Sequence, residues 1–309
     1  MHHVPYVGSG PYCYANSFAM MFGPQAPSPA VIEFSTSSPF GMQLIGGALP
    51  FFDPYGWDPE AGFDGALEAL GWTCDVSKGG DAEDALSRLR LGLKDGPVWI
   101  GPVEMGHLRH QPGMTGPIEA DHYVVVLSLD EEGVLMHDPQ GYPYATLPTA
   151  DFMTAWEART LTYGEPFTMR TGFRRRFEVS EVDVIRASIP AAIHWLSMAT
   201  DRPMPRGSLG NADAAHALAE RLDNGCDTGL RAHLIHFAVR VGARRAADAA
   251  TCLASAGYRE AAAIAGQQAQ LIGALQHPLV VRNDRAAADT LRRLAPTYDR
   301  LLAALHNGG

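Results

Sequence analysis

His122–Leu129 (HYVVVLSL), the tetrapeptide Asp130-Glu131-Glu132-Gly133 and Val134–His137 (VLMH), closed by Asp138-Pro139, form the stretch on which the fold of the N-terminal half turns. The first run is apolar and rich in β-branched residues, the acidic segment with its glycine is a turn, and the second run returns. That pattern predicts an antiparallel hairpin. Asp138-Pro139 breaks the second strand, because proline brings no N–H to the ladder. His122 and Asp138 then lie near the same end of the hairpin. His137, one residue earlier than Asp138, points to the opposite face.

Working outward, residues 12–22 (YCYANSFAMMF) predict a helix that starts after Gly10-Pro11 and stops at Gly23-Pro24. Residues 63–70 (FDGALEAL) predict a second helix ended by Gly71, and Trp72–Val76 a strand. Asp81–Leu93 carries Ala85, Leu86, Leu89 and Leu93 at helical spacing. Pro97–Val103 (PVWIGPV) reads as a buried strand ended by Pro102, and Leu161–Phe177 alternates like a strand, with Arg174-Arg175-Arg176 at an exposed edge or junction. Beyond about residue 180 alanine rises and apolar spacing becomes helical, as in Val184, Ile185, Ile189, Ile193 and Leu196. Helices are expected over Asn211–Leu222, Leu230–Val241, Ala246–Ala256, Tyr258–Leu275 and Arg285–Leu305. The expected architecture is an α+β domain over residues 1–178 followed by an α-helical domain over 179–309.

With 309 residues, 46% hydrophobic and 19% charged, the chain can bury a sizeable core, which excludes disorder, a collagen-like fibre and a disulfide-held miniprotein. A net charge of −10 argues against nucleic acid as the main partner. Its distribution, −15 over residues 1–165 and +5 over 166–309, supports two modules. Cys13, Cys74, Cys226 and Cys252 have no close spacing, so neither a zinc cluster nor a disulfide framework is expected, and a reducing, cytoplasmic setting fits. No Lys/Arg-led signal segment opens the chain. Between Val4 and Phe52 the only charge is Glu33, but Pro24, Pro27, Pro29 and Pro39 interrupt the stretch. It therefore reads as a segment buried in a domain and not as a membrane span.

Cys13 falls in the first turn of the expected helix. Backbone N–H groups there favour a thiolate, the nucleophilic form. A lone cysteine would read as a structural thiol. The order of the chain changes that: a cysteine at a helix start, then His122 opening a strand, then Asp138 ending the returning strand. Asp138 can hold the imidazole in one tautomer, and the imidazole can activate Cys13 for attack on a carbonyl or thioester carbon.

This order resembles the papain-like cysteine fold, in variants that use Asp in place of Asn. More narrowly it resembles the butirosin-biosynthesis acyltransferase (BtrH-like) family, on Cys13, Asp95-Gly96-Pro97-Val98, His122-Tyr123-Val124-Val125-Val126, Asp138-Pro139 and a helical module around Ala187–Ala199 and Gly207–Leu222. The resemblance implies acyl transfer in specialised metabolism, from a thioester on a carrier protein or coenzyme A to a small-molecule amine, through an acyl-cysteine. It implies no cofactor. It also implies an oxyanion hole, for which papain-like sites commonly place Gln six residues before the nucleophile; that position here is Val7. The Cys13 N–H can supply one donor, and Ser9, Tyr6 and Asn16 are the candidates for another. The same triad would equally serve a peptidase or amidase, and a non-catalytic binding module on this fold is the reading from another class. The helical half is compatible with a homodimer.

Glu104, His107 and His110 have spacings that a helix could present to a metal, but Gly106 and Pro112-Gly113 point to a loop, so no metal site is expected. His107 and His110 remain candidates to line the substrate cleft. His233, His236, Cys74, Cys226 and Cys252 read as structural. The arginines of 170–176 read as a solvated edge, or as a dock for an acidic carrier protein. Residues 34–52 read as core and loop, or as a wall that keeps water from an acyl-enzyme.

Overall fold

The computed structural model describes residues 11–308, which form a mixed α+β protein with antiparallel sheets and a helical C-terminal region. Two compact units are present. One combines residues 12–29 with 71–178, and the other combines 30–70 with the chain from 179 onward. One division therefore falls at residue 178, next to where the composition shifts. Segment 30–70, which the sequence groups with the first domain, clusters instead with the helices.

The first unit is built on a six-stranded antiparallel sheet. Its strands are β1 (Trp72–Ser77), β2 (Val98–Glu104), β3 (Asp121–Leu129), β4 (Val134–Asp138), β5 (Tyr142–Leu147) and β6 (Met169–Arg175), in the order β1-β6-β2-β3-β4-β5. Alternation sends Val98, Ile100, Val124, Val126 and Met136 to a core shared with Ala85, Leu89, Phe152 and Trp156. These last four come from helices Ala82–Gly92 and Thr149–Glu157. The former begins where the Asp81 side chain accepts a hydrogen bond from the Asp84 N–H.

Trp72, Trp99 and Tyr123 carry helix α1 (Cys13–Phe22). Tyr14, Phe18 and Phe22 recur every four residues and so share one face. Tyr14 meets Tyr123 edge-on at 6.2 Å, Phe18 lies 4.4 Å from Trp99, and Phe22 stacks on Trp72 at 4.4 Å. Phe18 is fully buried, and its truncation to alanine should cost about 3–5 kcal/mol. The nucleophile candidate thus begins a helix that is anchored by rings along its length.

Two strand expectations change. Pro102 does not end β2: the register with β3 shifts between Ile100 and Val103, and this bulge absorbs the residue that cannot donate to a ladder. Gly101 at the bulge is required sterically, since a Cβ there would sit 2.3 Å from the Tyr123 ring. Of Leu161–Phe177 only Met169–Arg175 is a strand, because Gly164 takes φ +76° and Phe167 φ +55°, left-handed values that interrupt extended chain.

In the second unit, residues 43–45, 49–51 and 209–210 form a small antiparallel sheet. The Asn211 N–H donates to Met42 O, and the Asn211 side chain donates to Leu196 O. Glu33, the lone charge of its stretch, receives Arg245 Nε at 2.7 Å, and Arg245 Nη1 reaches Asp53 at 3.1 Å. A buried charge needs a partner, and its partner lies in the helical half. This ion-pair bridge is one of the contacts that tie 30–70 to this unit. The buried residues of 34–52, Phe34, Phe40, Met42 and Leu44 among them, belong to its core.

The expected gap between Leu230–Val241 and Ala246–Ala256 is absent. The chain stays helical from Thr228 to Ser255, with a π turn at Leu234–Ala238. Gly242 does not break it; a Cβ there would meet Phe52 at 2.5 Å, so this glycine serves close packing. Conversely, Arg285–Leu305 is two helices, Asp284–Leu294 and Pro296–Asn307, because a proline without an N–H starts a helix better than it continues one. Among the described residues no helix is long and apolar enough to cross a membrane.

Candidate functional site

Cys13 is the first residue of α1 and is partly exposed. Tyr12 before it has φ −113° and ψ 52°, and no side chain caps the helix. The N–H groups of a helix's first turn have no intrahelical acceptor and carry partial positive charge. Asn16, one turn on, is half-buried, and its N–H is taken by Tyr12 O. Tyr6 and Ser9, the other oxyanion candidates, lie outside the described residues.

The β3–β4 ladder pairs Val125 with His137 and Val126 with Met136. Continuing that register sets Asp138 across from Val124, on the same face as His122 and diagonal to it. His122 Nε2 is 2.7 Å from Asp138 Oδ1. Both side chains are almost wholly buried. The same imidazole interacts with Cys13, which together with Asp138 favours its protonated form. With Nε2 on the carboxylate, Nδ1 is the nitrogen left for the thiol. The structure therefore brings Cys13, His122 and Asp138 into one series.

Electrostatics in the series are strong. Burial disfavours a charged His122, but the hydrogen bonds to Asp138 and Cys13 outweigh it and raise the imidazole to about 10. Burial likewise opposes ionisation of Asp138. Hydrogen bonds from His110 and His122, with the His122 charge and the Gln140 N–H, overcome it and hold the carboxyl far below the usual range. Both shifts favour the charged pair of imidazolium and carboxylate. His137 points away, its Nδ1 accepting the Tyr144 N–H at 3.1 Å.

Asp138 has more partners than the hairpin supplies. Gln140 N–H donates to Oδ1 at 2.8 Å, while His110 Nε2 lies 2.8 Å and Gln111 Nε2 2.7 Å from Oδ2. His110 and Gln111 come from the β2–β3 loop, and no periodicity in the sequence points from them to Asp138. His107 ends the short turn Met105–His107, half-buried, and makes no hydrogen bond to that carboxylate.

Glu104 organises this loop. Its carboxylate accepts the N–H groups of Gly106, Ile118 and Glu119 and the Thr160 hydroxyl. Burial would raise its pKa, yet the Thr160 hydroxyl and the loop N–H groups lower it overall. Gly106 sits so close to the returning chain that a Cβ would fall 2.0 Å from Gly116 O. Glu104 is thus committed to the loop, and among the described residues no group of three His, Cys, Asp or Glu is placed to hold a metal ion.

The arginines of β6 are engaged within their own unit. Arg170 is buried, with its guanidinium 4.8 Å over Trp99, and Arg174 makes two hydrogen bonds to Asp75 at 2.8 and 3.0 Å. Cys252 is buried among helices, and burial first, then Asp248 and Glu181, push its thiol up to about 12, as befits a structural thiol. His233 hydrogen-bonds Pro50 O at 2.7 Å.

A family model described as the YobF C-terminal domain matches residues 205–306, within the helical region. The chain is also 32% identical over 161 residues to the uncharacterized protein YobF of Bacillus subtilis (strain 168), which is 51% of this chain and 52% of YobF. The chain thus spans about half the length of the curated relative it matches.

Proposed function

We propose that the protein is a cysteine-dependent acyltransferase on a papain-like arrangement, in which Cys13 is the nucleophile, His122 the general acid and base, and Asp138 its orienter. The observation that carries this reading is a buried imidazole that lies 2.7 Å from the Asp138 carboxylate and interacts with Cys13 at the start of α1. The resemblance to the butirosin-biosynthesis acyltransferases supports a thioester donor, on a carrier protein or coenzyme A, and a small-molecule amine acceptor. Four free thiols support a reducing, cytoplasmic setting.

His122 takes the Cys13 proton as the sulfur attacks the thioester carbon, and the carbonyl oxygen takes the negative charge at the helix start. The C–S bond to the donor breaks, and its thiolate takes the proton of His122. Neutral His122 then removes a proton from the amine as its nitrogen attacks the acyl-Cys13 carbon. The Cys13–acyl bond breaks, the amide leaves, and the Cys13 sulfur takes the proton back from His122. Water in place of the amine would make the same site a hydrolase, and product analysis with and without amine separates the two. The test is intact-protein mass spectrometry with a panel of acyl thioesters. An acyl adduct is expected on the wild type, absent from Cys13→Ala and discharged by an amine. Absence of both an adduct and thioester consumption across the panel, with a Cys13 that alkylates no faster than an ordinary thiol, would favour the binding-module reading.

A further inference from the structure

Asp138 is gripped at both oxygens, and the grip on the second comes from outside its hairpin. Oδ1 accepts from His122 and the Gln140 N–H, Oδ2 from His110 and Gln111. A carboxylate turns easily about its last side-chain bond. A buried Oδ2 without donors would draw the group round to share those of Oδ1, since an unsatisfied buried acceptor is costly. The His110 ring is suited to prevent this. Its side chain is only 8% exposed, it packs edge-on against Tyr142 at 5.5 Å, and the loop that carries it is pinned by Glu104. Its Nδ1 is buried with no hydrogen-bond partner among the described residues, so the ring directs its one hydrogen bond to Asp138.

We infer that His110 is a positioning residue, holding Oδ2 of Asp138 so that Oδ1 stays on His122 Nε2. This rests on the triad reading above. Gln111 is the auxiliary donor: its longer, unbranched side chain fixes a direction less firmly than a packed ring does.

Three replacements test it. His110→Phe keeps the ring and removes the donor, His110→Asn puts an amide donor at the Nδ1 position, and His110→Gln puts one at the Nε2 position. The readouts are the rate of Cys13 alkylation by iodoacetamide at pH 7, followed by intact mass, and the proton resonance of His122 Nε2–H. The Phe and Asn variants are expected to alkylate about tenfold more slowly, as for one lost charge-assisted hydrogen bond, with the His122 resonance shifted. His110→Gln should recover most of both. Because Asn and Gln are close in size and polarity, their contrast survives even if the Phe variant fails to fold. Wild-type rates and an unmoved resonance in the Phe and Asn variants, or a Gln variant as slow as Asn, would overturn the inference. Asp138→Ala distinguishes the two levels: if it too leaves rate and resonance unchanged, the triad reading has failed. If it is slow while the His110 variants match wild type, only the positioning role has.

Discussion

His122 Nε2 and Asp138 Oδ1 stand 2.7 Å apart although the residues are 16 positions apart in the chain, and both side chains are shielded from water. In such a low-dielectric place the pair interacts far more strongly than at a surface. A hairpin of ordinary strand-forming residues produces this contact.

Asp138→Ala should leave the hairpin standing and remove the group that orients the imidazole. Thioester-dependent acylation of the variant, timed by intact mass, is expected to fall by at least about a hundredfold. A fall of less than threefold would contradict the role given to Asp138.

The His122 shift makes a stability prediction with a definite sign. Its native pKa of about 10 lies above the ordinary value of 6.5, so the folded state binds the proton more tightly than the unfolded chain. The contribution is fully present below about pH 6.5 and is lost as pH rises through about 10. Urea midpoints between pH 6 and pH 10 should therefore fall more for wild type than for His122→Gln. Parallel curves would show that the charged pair is absent.

Glu104→Gln is expected to loosen the loop that delivers His110 and Gln111. The loss of anionic hydrogen bonding there should cost about 1–3 kcal/mol. Because its pKa is lowered on folding, the native contribution of Glu104 is present above about pH 4.5 and is lost as pH falls through the native value. The gap between wild type and variant should thus narrow in acid. Hydrogen exchange of the Ile118 and Glu119 amides, faster in the variant, would localise the effect.

Arg245 tests the second unit by itself. It bridges the buried Glu33 and Asp53 carboxylates, and its guanidinium also lies 5.5 Å from the Trp57 ring. Arg245→Met should cost about 3–5 kcal/mol, since it removes the buried cation that bridges the two carboxylates. Adding Glu33→Gln and Asp53→Asn should return part of that loss in urea unfolding. An Arg245→Met protein as stable as wild type would mean the carboxylates find water.

Elements with strong local patterns were legible in the chain. The β3–β4 hairpin, α1 and Ala82–Gly92 fall within a residue or two of where spacing and punctuation put them. Where a residue carries two local meanings, the reading failed. Pro102 could stop a strand or sit in its bulge, and Gly242 could break a helix or admit Phe52. Tertiary neighbours chose between those meanings. His110 appeared only as a cleft candidate and Gln111 not at all, since a loop has no period to betray where its side chains go.

By itself the sequence determined the periodicities, the turn and stop residues, the order cysteine–histidine–aspartate and the isolation of Glu33 in an apolar stretch. These are local quantities, set by backbone sterics and by the alternation of apolar and polar side chains. Only the tertiary structure decided that segment 30–70 joins the helices, that Glu104 ties down a loop, and that His110 and Gln111 share the carboxylate of Asp138 with His122. The reason is common to all three. A buried charge or hydrogen-bonding group must find a partner, and which partner it finds depends on how distant segments pack, which local spacing does not encode.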